Sequence, residues 1–295
     1  MPVLPSSVID SICANIAGLD PSMEKALESL DKVRIGFMSD SYRFLARNRY
    51  LSTHKGLVKE WRAQDTVAFS QLVDFTEVEL ERSRREAAGL LKPSYTAFIV
   101  DSIARALRDH PKLNRIVYHG LGGYRWAQFE QVDMAVATEL VVGDLDIAYA
   151  SIIRNADQLG LEGIATTLVR LASAPGDDPQ LRRLSRFPAA LTVGLARLTG
   201  LHPKLWVRFR GGSCCVTSPA KYGVESIVAK SSWPLQFAFG RVADRAMVVD
   251  GQCVARRSAV LSMSWHRELT TGAVAARFFE QIVLQLHRPI TGQLL

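Results

Sequence analysis

The chain predicts an α+β domain in which helices pack beside one mixed β-sheet. Three observations carry that expectation. Segments of helical and of strand-like period alternate along the body. A glycine-rich tetrad, Gly120-Leu-Gly-Gly123, joins two β-rich runs at the spacing of an antiparallel hairpin. The last regular segment, residues 273–286, has helical period, with apolar Ala276, Phe279, Ile282, Val283 and Leu286.

Residues 1–60 read as an N-terminal helical extension. Val8, Ile9, Ile12, Ile16 and Leu19 recur at helical spacing, Asp20-Pro21-Ser22 interrupts them, and the pattern resumes over residues 24–30. Residues 61–295 read as the core domain. Residues 66–75 have a β-like composition, and residues 77–91 form a charged, solvent-facing helix. Ser94 is an N-cap for a helix with Phe98, Ile99, Ile103, Ala106 and Leu107 on one face, which His110-Pro111 ends. Residues 114–119 and 124–129 are the arms of the hairpin. A short strand over 132–138 and a helix over 161–171 follow. Residues 175–179, Pro-Gly-Asp-Asp-Pro, break the pattern before an insertion-like stretch at 180–210. Strands are expected near 213–218, 236–242, 246–249 and 258–265.

Composition narrows the function classes. With 295 residues, 48% of them hydrophobic, the chain buries one large core or two modest ones. No run approaches the roughly 18 apolar residues of a membrane span, and the N-terminus lacks a signal-peptide layout, so a soluble cytoplasmic protein is expected. Cys13, Cys214, Cys215 and Cys253 show no metal-ligand spacing, and no metal site or disulfide framework is expected. The net charge of +7 is spread along the chain; its densest runs, Arg82-Ser-Arg-Arg85 and Arg182-Arg183 to Arg186, are not interleaved with a nucleic-acid module. Nucleic acid is therefore not an expected partner, although a basic surface attracts polyanions such as coenzyme A.

Four collinear segments carry the functional signal. The first, residues 94–114, ends in Ala106-Leu-Arg-Asp-His-Pro-Lys-Leu-Asn114. The second is Val132-Asp-Met-Ala-Val-Ala137, with Ile152-Ile-Arg-Asn-Ala-Asp157 and Ile164-Ala165. The third is Gly211-Gly-Ser-Cys-Cys-Val-Thr-Ser-Pro-Ala-Lys-Tyr-Gly-Val224. The fourth is Leu261-Ser-Met-Ser-Trp-His-Arg-Glu-Leu-Thr-Thr-Gly-Ala273. In this order they resemble the catalytic core of the 2-oxo acid dehydrogenase acyltransferases, the dihydrolipoamide acyltransferases of the chloramphenicol acetyltransferase-like superfamily. The resemblance implies a mixed sheet flanked by helices and a trimer with active sites between subunits. It also implies acyl transfer between a thioester and an acceptor, with coenzyme A or acyl-CoA as substrate. No lipoyl or peripheral-subunit-binding domain is read in the chain, hence no covalent lipoyl group. Leu294 and Leu295 match the apolar tip by which such cores build larger cages.

The site departs from the family pattern. Thr217 falls on the family's oxyanion-stabilising serine. Aligned without a gap, Arg267 takes the position of the catalytic His and Thr271 that of its carboxylate partner. A guanidinium stays protonated and is no base, but its fork binds phosphate, carboxylate or an oxyanion, so Arg267 is also the candidate coenzyme A contact. Otherwise it forms a structural salt bridge, with Glu268 or with a neighbouring subunit. Slipping the register by one residue puts His266 in the catalytic position and Thr270 in the carboxylate position, at the cost of one inserted residue before Gly272. Two functions stay open: a coenzyme A-dependent acyltransferase, or a catalytically inactive homologue acting as an oligomeric scaffold or acyl-CoA-binding protein.

Overall fold

The computed structural model describes residues 65–120, 123–142, 145–173 and 202–287. The expected extension at 1–60, most of the stretch at 180–210, and Leu294 and Leu295 lie outside the described residues. The described residues 65–117, 126–142, 145–173 and 210–287 belong to one compact unit, and the described residues 118–120, 123–125 and 202–209 to a second.

Strand β1 (Thr66–Asp74) leads into helix α1 (Thr76–Ala87), which carries Glu77 and Glu79 in its first turn and Arg84 and Arg85 in its last, matching the helix dipole at both ends. Ser94 caps helix α2 (Tyr95–Asp109) as expected, its Oγ accepting the Ala97 N–H at 3.2 Å. Strands β2 (Arg115–Gly120) and β3 (Gly123–Gln128) pair as a separate two-stranded sheet, the expected hairpin. Next come β4 (Met134–Val142) and β5 (Leu145–Ile153), an antiparallel pair. The helical run α3 (Ala156–Ser173) starts five residues before the expected 161 and is broken at Gly160, whose φ is +62°. Helix α4 (Pro203–Arg210) precedes strands β6 (Cys214–Thr217), β7 (Leu235–Phe239), β8 (Ala243–Val249) and β9 (Gln252–His266), and helix α5 (Gly272–His287) ends the described chain.

The main sheet has seven strands in the order β1-β9-β7-β6-β4-β5, with β8 also paired to β9. It is mixed: β6 runs parallel to β4 and β7, and the remaining pairs are antiparallel. Two expectations change here. Strand β5 takes up residues to which the sequence pattern assigns no element. Strands β8 and β9 are longer than expected: Asp250 (φ 52°) and Gly251 (φ 79°) close a two-residue hairpin between them, and pairing runs unbroken from Val249 and Gln252 to Ala243 and Ser258.

Alternation along the strands gives the sheet two unlike faces. One carries Val136, Val216, Phe237 and Met263 in register and meets α2 and α5 in the apolar core. There Phe69 lies 4.6 Å from Trp265 and 6.4 Å from Phe279, ring to ring, and Phe237 lies 6.3 Å from Phe278. On α5 the buried positions include Ala275 and Phe278; Ala276, expected inward, is exposed. The other face is small and polar. One row reads Ala135, Cys215, Gln236, Ser264 and Ala68, and the next reads Thr217, Ala238, Ser262 and Ser70. The chain before β7 covers part of this face: Ser264 Oγ donates to the Ala229 carbonyl, and Ser231 Oγ lies 2.5 Å from Gln236 Oε1.

Much of the motif sequence is spent on holding β4 against β6. Asn114 is buried; its amide donates to the carbonyls of Phe129 (3.2 Å) and Gln131 (2.9 Å), and its oxygen accepts from Ser213 Oγ at 2.9 Å. Buried Asp133 pairs with Arg154 at 2.6 Å and accepts the Asn155 N–H at 3.0 Å. Its carbonyl takes the Gly212 N–H at 3.0 Å, and a Cβ on Gly212 would stand 2.4 Å from that same oxygen.

Candidate active site

The fourth motif is the end of β9 and the turn beyond it. Leu261, Met263 and Trp265 point into the helical core, so Ser262, Ser264 and His266 lie on the small polar face. His266 closes the strand: its N–H donates to the Pro234 carbonyl at 3.0 Å, and its Nε2 lies 3.3 Å from the Ser231 carbonyl. A carbonyl can only accept, so that contact places a ring proton on Nε2.

Arg267 is the first residue past the strand. Its N–H donates to the Asp65 carbonyl at 3.0 Å, and its guanidinium lies 3.6 Å from the Asp65 carboxylate. Asp65 thus forms the ion pair for which the sequence suggests Glu268 or a carboxylate of a neighbouring subunit. The pair is 66% and 73% exposed at its two side chains, so it contributes little to stability and leaves the guanidinium facing water. The turn then tightens: the Leu269 N–H donates to the His266 carbonyl at 2.9 Å and the Leu269 side chain is buried. Thr271 precedes the first residue of α5, and its carbonyl accepts the Ala275 N–H at 3.1 Å, which is the N-cap position. Threonine suits that position without any catalytic task. Thr270 is half-buried within the same turn.

Thr217 stands at the other end of the sheet. It is the last residue of β6, beside Ala238 of β7, which in turn faces Ser262 of β9. Because β6 and β7 are parallel and β9 is antiparallel to β7, the ends of β6 and β9 lie at opposite edges. His266 is four residues beyond Ser262, so it is displaced about 13 Å along the strands and about 9 Å across them from Thr217. Both residues share one face, since Thr217, Ala238 and Ser262 are in register and His266 has the parity of Ser262. Groups acting on one carbonyl must both reach within about 3 Å of the reacting atoms. Within one copy of the chain, Thr217 thus lies at one end of the strands and His266 and Arg267 at the other, too far apart to act on one carbonyl.

Beyond Thr217, Ser218 Oγ donates to the Phe239 carbonyl at 2.9 Å and fixes the turn in which Pro219 and Ala220 stand. Glu139 of β4 accepts from both Lys221 and Tyr222. The Lys221 hydrogen bond, then that of Tyr222, holds the Glu139 carboxyl below its usual range, so this exposed latch stays charged at neutral pH. Cys214 and Cys215 of β6 are buried; burial pushes the Cys215 thiol up to about 12 and raises Cys214 as well, so neither supplies a thiolate. Among the described residues no three His, Cys, Asp or Glu side chains group as metal ligands, and no helix is long and apolar enough to cross a membrane. Two other histidines have local roles: His110 Nε2 lies 2.5 Å from Gln281 Oε1, and His202 Nδ1 accepts the Lys204 N–H at 3.2 Å.

Sequence reasoning missed Asp65, Glu139, the Ser231 carbonyl and Arg115, whose guanidinium donates to the Leu269 carbonyl at 2.6 Å. None of them lies in the four motif segments, and their roles come from tertiary contact.

Comparison with known proteins places this geometry. Residues 51–178 match the family model of the 2-oxoacid dehydrogenases acyltransferase (catalytic domain). The dihydrolipoyllysine-residue acetyltransferase component of the pyruvate dehydrogenase complex of Mycoplasma capricolum is 24% identical over 220 residues, covering 74% of this chain and 44% of that protein. The chain thus spans less than half the length of this curated relative. A probable dihydrolipoamide acetyltransferase from Listeria monocytogenes superposes with a TM-score of 0.64 at 17% identity, over 88% of this chain and 99% of that one. The dihydrolipoamide acetyltransferase of Azotobacter vinelandii, in whose catalytic mechanism the roles of a serine, a histidine and an asparagine have been investigated, gives 0.63 at 18% identity, over 88% and 95%. A truncated 2-oxoacid dehydrogenase complex core from Thermoplasma acidophilum gives 0.59 at 16%, over 84% and 100%. The resemblance drawn from the four motifs is borne out, and the fold is that of these catalytic cores.

Proposed function

We propose that this chain, similar in sequence and fold to the acyltransferase cores of 2-oxo acid dehydrogenase complexes, is a coenzyme A-dependent acyltransferase whose site is completed between copies in a homotrimer. The observation that carries this reading is the placement of Thr217 and His266 on one sheet face at opposite edges. A cyclic assembly brings the first edge of one copy to the second edge of the next. In the joined site a thiol attacks the thioester carbonyl. His266 takes the thiol proton, through Nδ1 if Nε2 keeps its hydrogen to Ser231, and returns it to the departing thiolate. The Thr217 hydroxyl donates to the tetrahedral oxyanion. Arg267, exposed and permanently charged, binds a phosphate or carboxylate of the ligand. Coenzyme A enters as a substrate, and the acyl group and acceptor are set outside these residues.

A second reading has its own observation. In the gap-free register Arg267 stands where the base belongs and Thr271 where its carboxylate belongs, and Thr271 sits as a helix cap. That combination supports an oligomeric acyl-CoA-binding protein that transfers nothing. Single-turnover transfer from acetyl-CoA to dihydrolipoamide separates the two. If His266 is the base, His266→Ala lowers the rate by about 100-fold or more while acetyl-CoA binding holds. Wild-type protein that binds acetyl-CoA without turnover supports the second reading, and turnover that His266→Ala leaves unchanged removes His266 from the chemistry.

A further inference from the structure

Besides the contacts of Arg267 with Asp65, the turn that carries Arg267 is held at its midpoint by two hydrogen bonds, and one of them comes from outside the motif. Its midpoint, Leu269, uses its N–H internally on the His266 carbonyl, while its carbonyl receives Arg115 Nη2 at 2.6 Å from 154 residues away in the chain. Arg115 is itself held at its root. It follows Asn114, which is buried and hydrogen-bonded to Phe129, Gln131 and Ser213. Its guanidinium also lies over the Trp126 ring at 5.3 Å. Among the described residues no carboxylate forms an ion pair with Arg115, and its buried Nε has no hydrogen-bond acceptor. A neutral carbonyl is therefore the acceptor that this permanent cation holds. A cation–carbonyl bond is stronger and more directional than an ordinary backbone contact.

We propose that Arg115 is a positioning residue for the ligand site: it holds the Leu269 carbonyl, and through it the 267–271 turn, in the conformation that presents the Arg267 guanidinium. This rests on the reading that Arg267 contacts the ligand. Arg115 itself touches the turn, so its effect on binding passes through Arg267.

A double-mutant cycle on the full-length chain tests the proposal, with acetyl-CoA as the calorimetric probe. Arg115→Met, which keeps the stem and loses the donors, weakens binding about tenfold in the wild-type background and less than about twofold in the Arg267→Ala background. Arg115→Lys, which restores one charged donor, recovers part of the loss. A loss of equal size in both backgrounds, or no loss in either, overturns the proposal. Amide hydrogen exchange supplies a readout independent of the ligand: in Arg115→Met the amides of 267–271 exchange faster while those of β9 inside the sheet do not change. Unchanged exchange in the turn also overturns it. Wild-type protein that fails to bind acetyl-CoA defeats the ligand reading of Arg267 and leaves the exchange experiment to decide on Arg115.

Discussion

Gly212→Ala is expected to lower the stability of the domain by about 3 kcal/mol or more, near the top of the range for overpacking. The added Cβ falls 2.4 Å from the Asp133 carbonyl oxygen, and that oxygen already accepts the Gly212 N–H. No flexible side chain can yield there, because the obstructing atom is backbone. Moving it disturbs Asp133, which is buried and holds Arg154 and the Asn155 N–H. The melting temperature should fall by about 6–12 °C for a chain of this size. Gly272→Ala is the control: nothing lies within 4 Å of the point its Cβ would occupy, so its effect should stay within about 0.5 kcal/mol. Thermal unfolding of the two variants checks both, and a Gly212→Ala protein as stable as wild type would mean that β4 and β6 are not packed as described.

Arg267→Ala is expected to weaken acetyl-CoA binding by roughly 1–3 kcal/mol, about 5- to 150-fold, the loss of one charge-assisted hydrogen bond. Stability should hardly change, since the pair with Asp65 is mostly exposed. Raising ionic strength should shrink the difference between the two proteins, because an exposed cation acts through a screened field. Calorimetry at two salt concentrations measures this. Equal affinities for wild type and variant would leave Arg267 as the surface partner of Asp65.

How far the sequence reveals the molecule depends on the range of the interaction. Ser94 as a cap, His110-Pro111 as a stop and the amphipathic α5 follow from local chemistry, and they stand where residue type and period put them. The same is true of the alternation in Leu261-Ser-Met-Ser-Trp265, which separates an apolar face from a serine face. Strand β5 escapes a local reading because Asp146, Ala148 and Ala150 dilute its apolar period, and pairing with β4 decides its state. Asp250-Gly251 is a strong hairpin signal that is not among the turns expected from the sequence, and it joins β8 to β9. Asn114, Asp133, Arg154 and Gly212 belong to the motifs that carry the resemblance, and their contacts tie together the segments that flank β4, β5 and β6. Of the candidate site residues, Thr271 stands at a helix N-cap position, whereas His266 and Arg267 lie at the end of β9 away from Thr217.

The division of Thr217 from His266 and Arg267 across one sheet makes oligomeric state the deciding quantity. Light scattering coupled to size exclusion, at micromolar concentration, should give three times the 32.6 kDa chain mass, or a multiple of that trimer. A stable species of 32.6 kDa that still binds or turns over acetyl-CoA would contradict a site shared between copies.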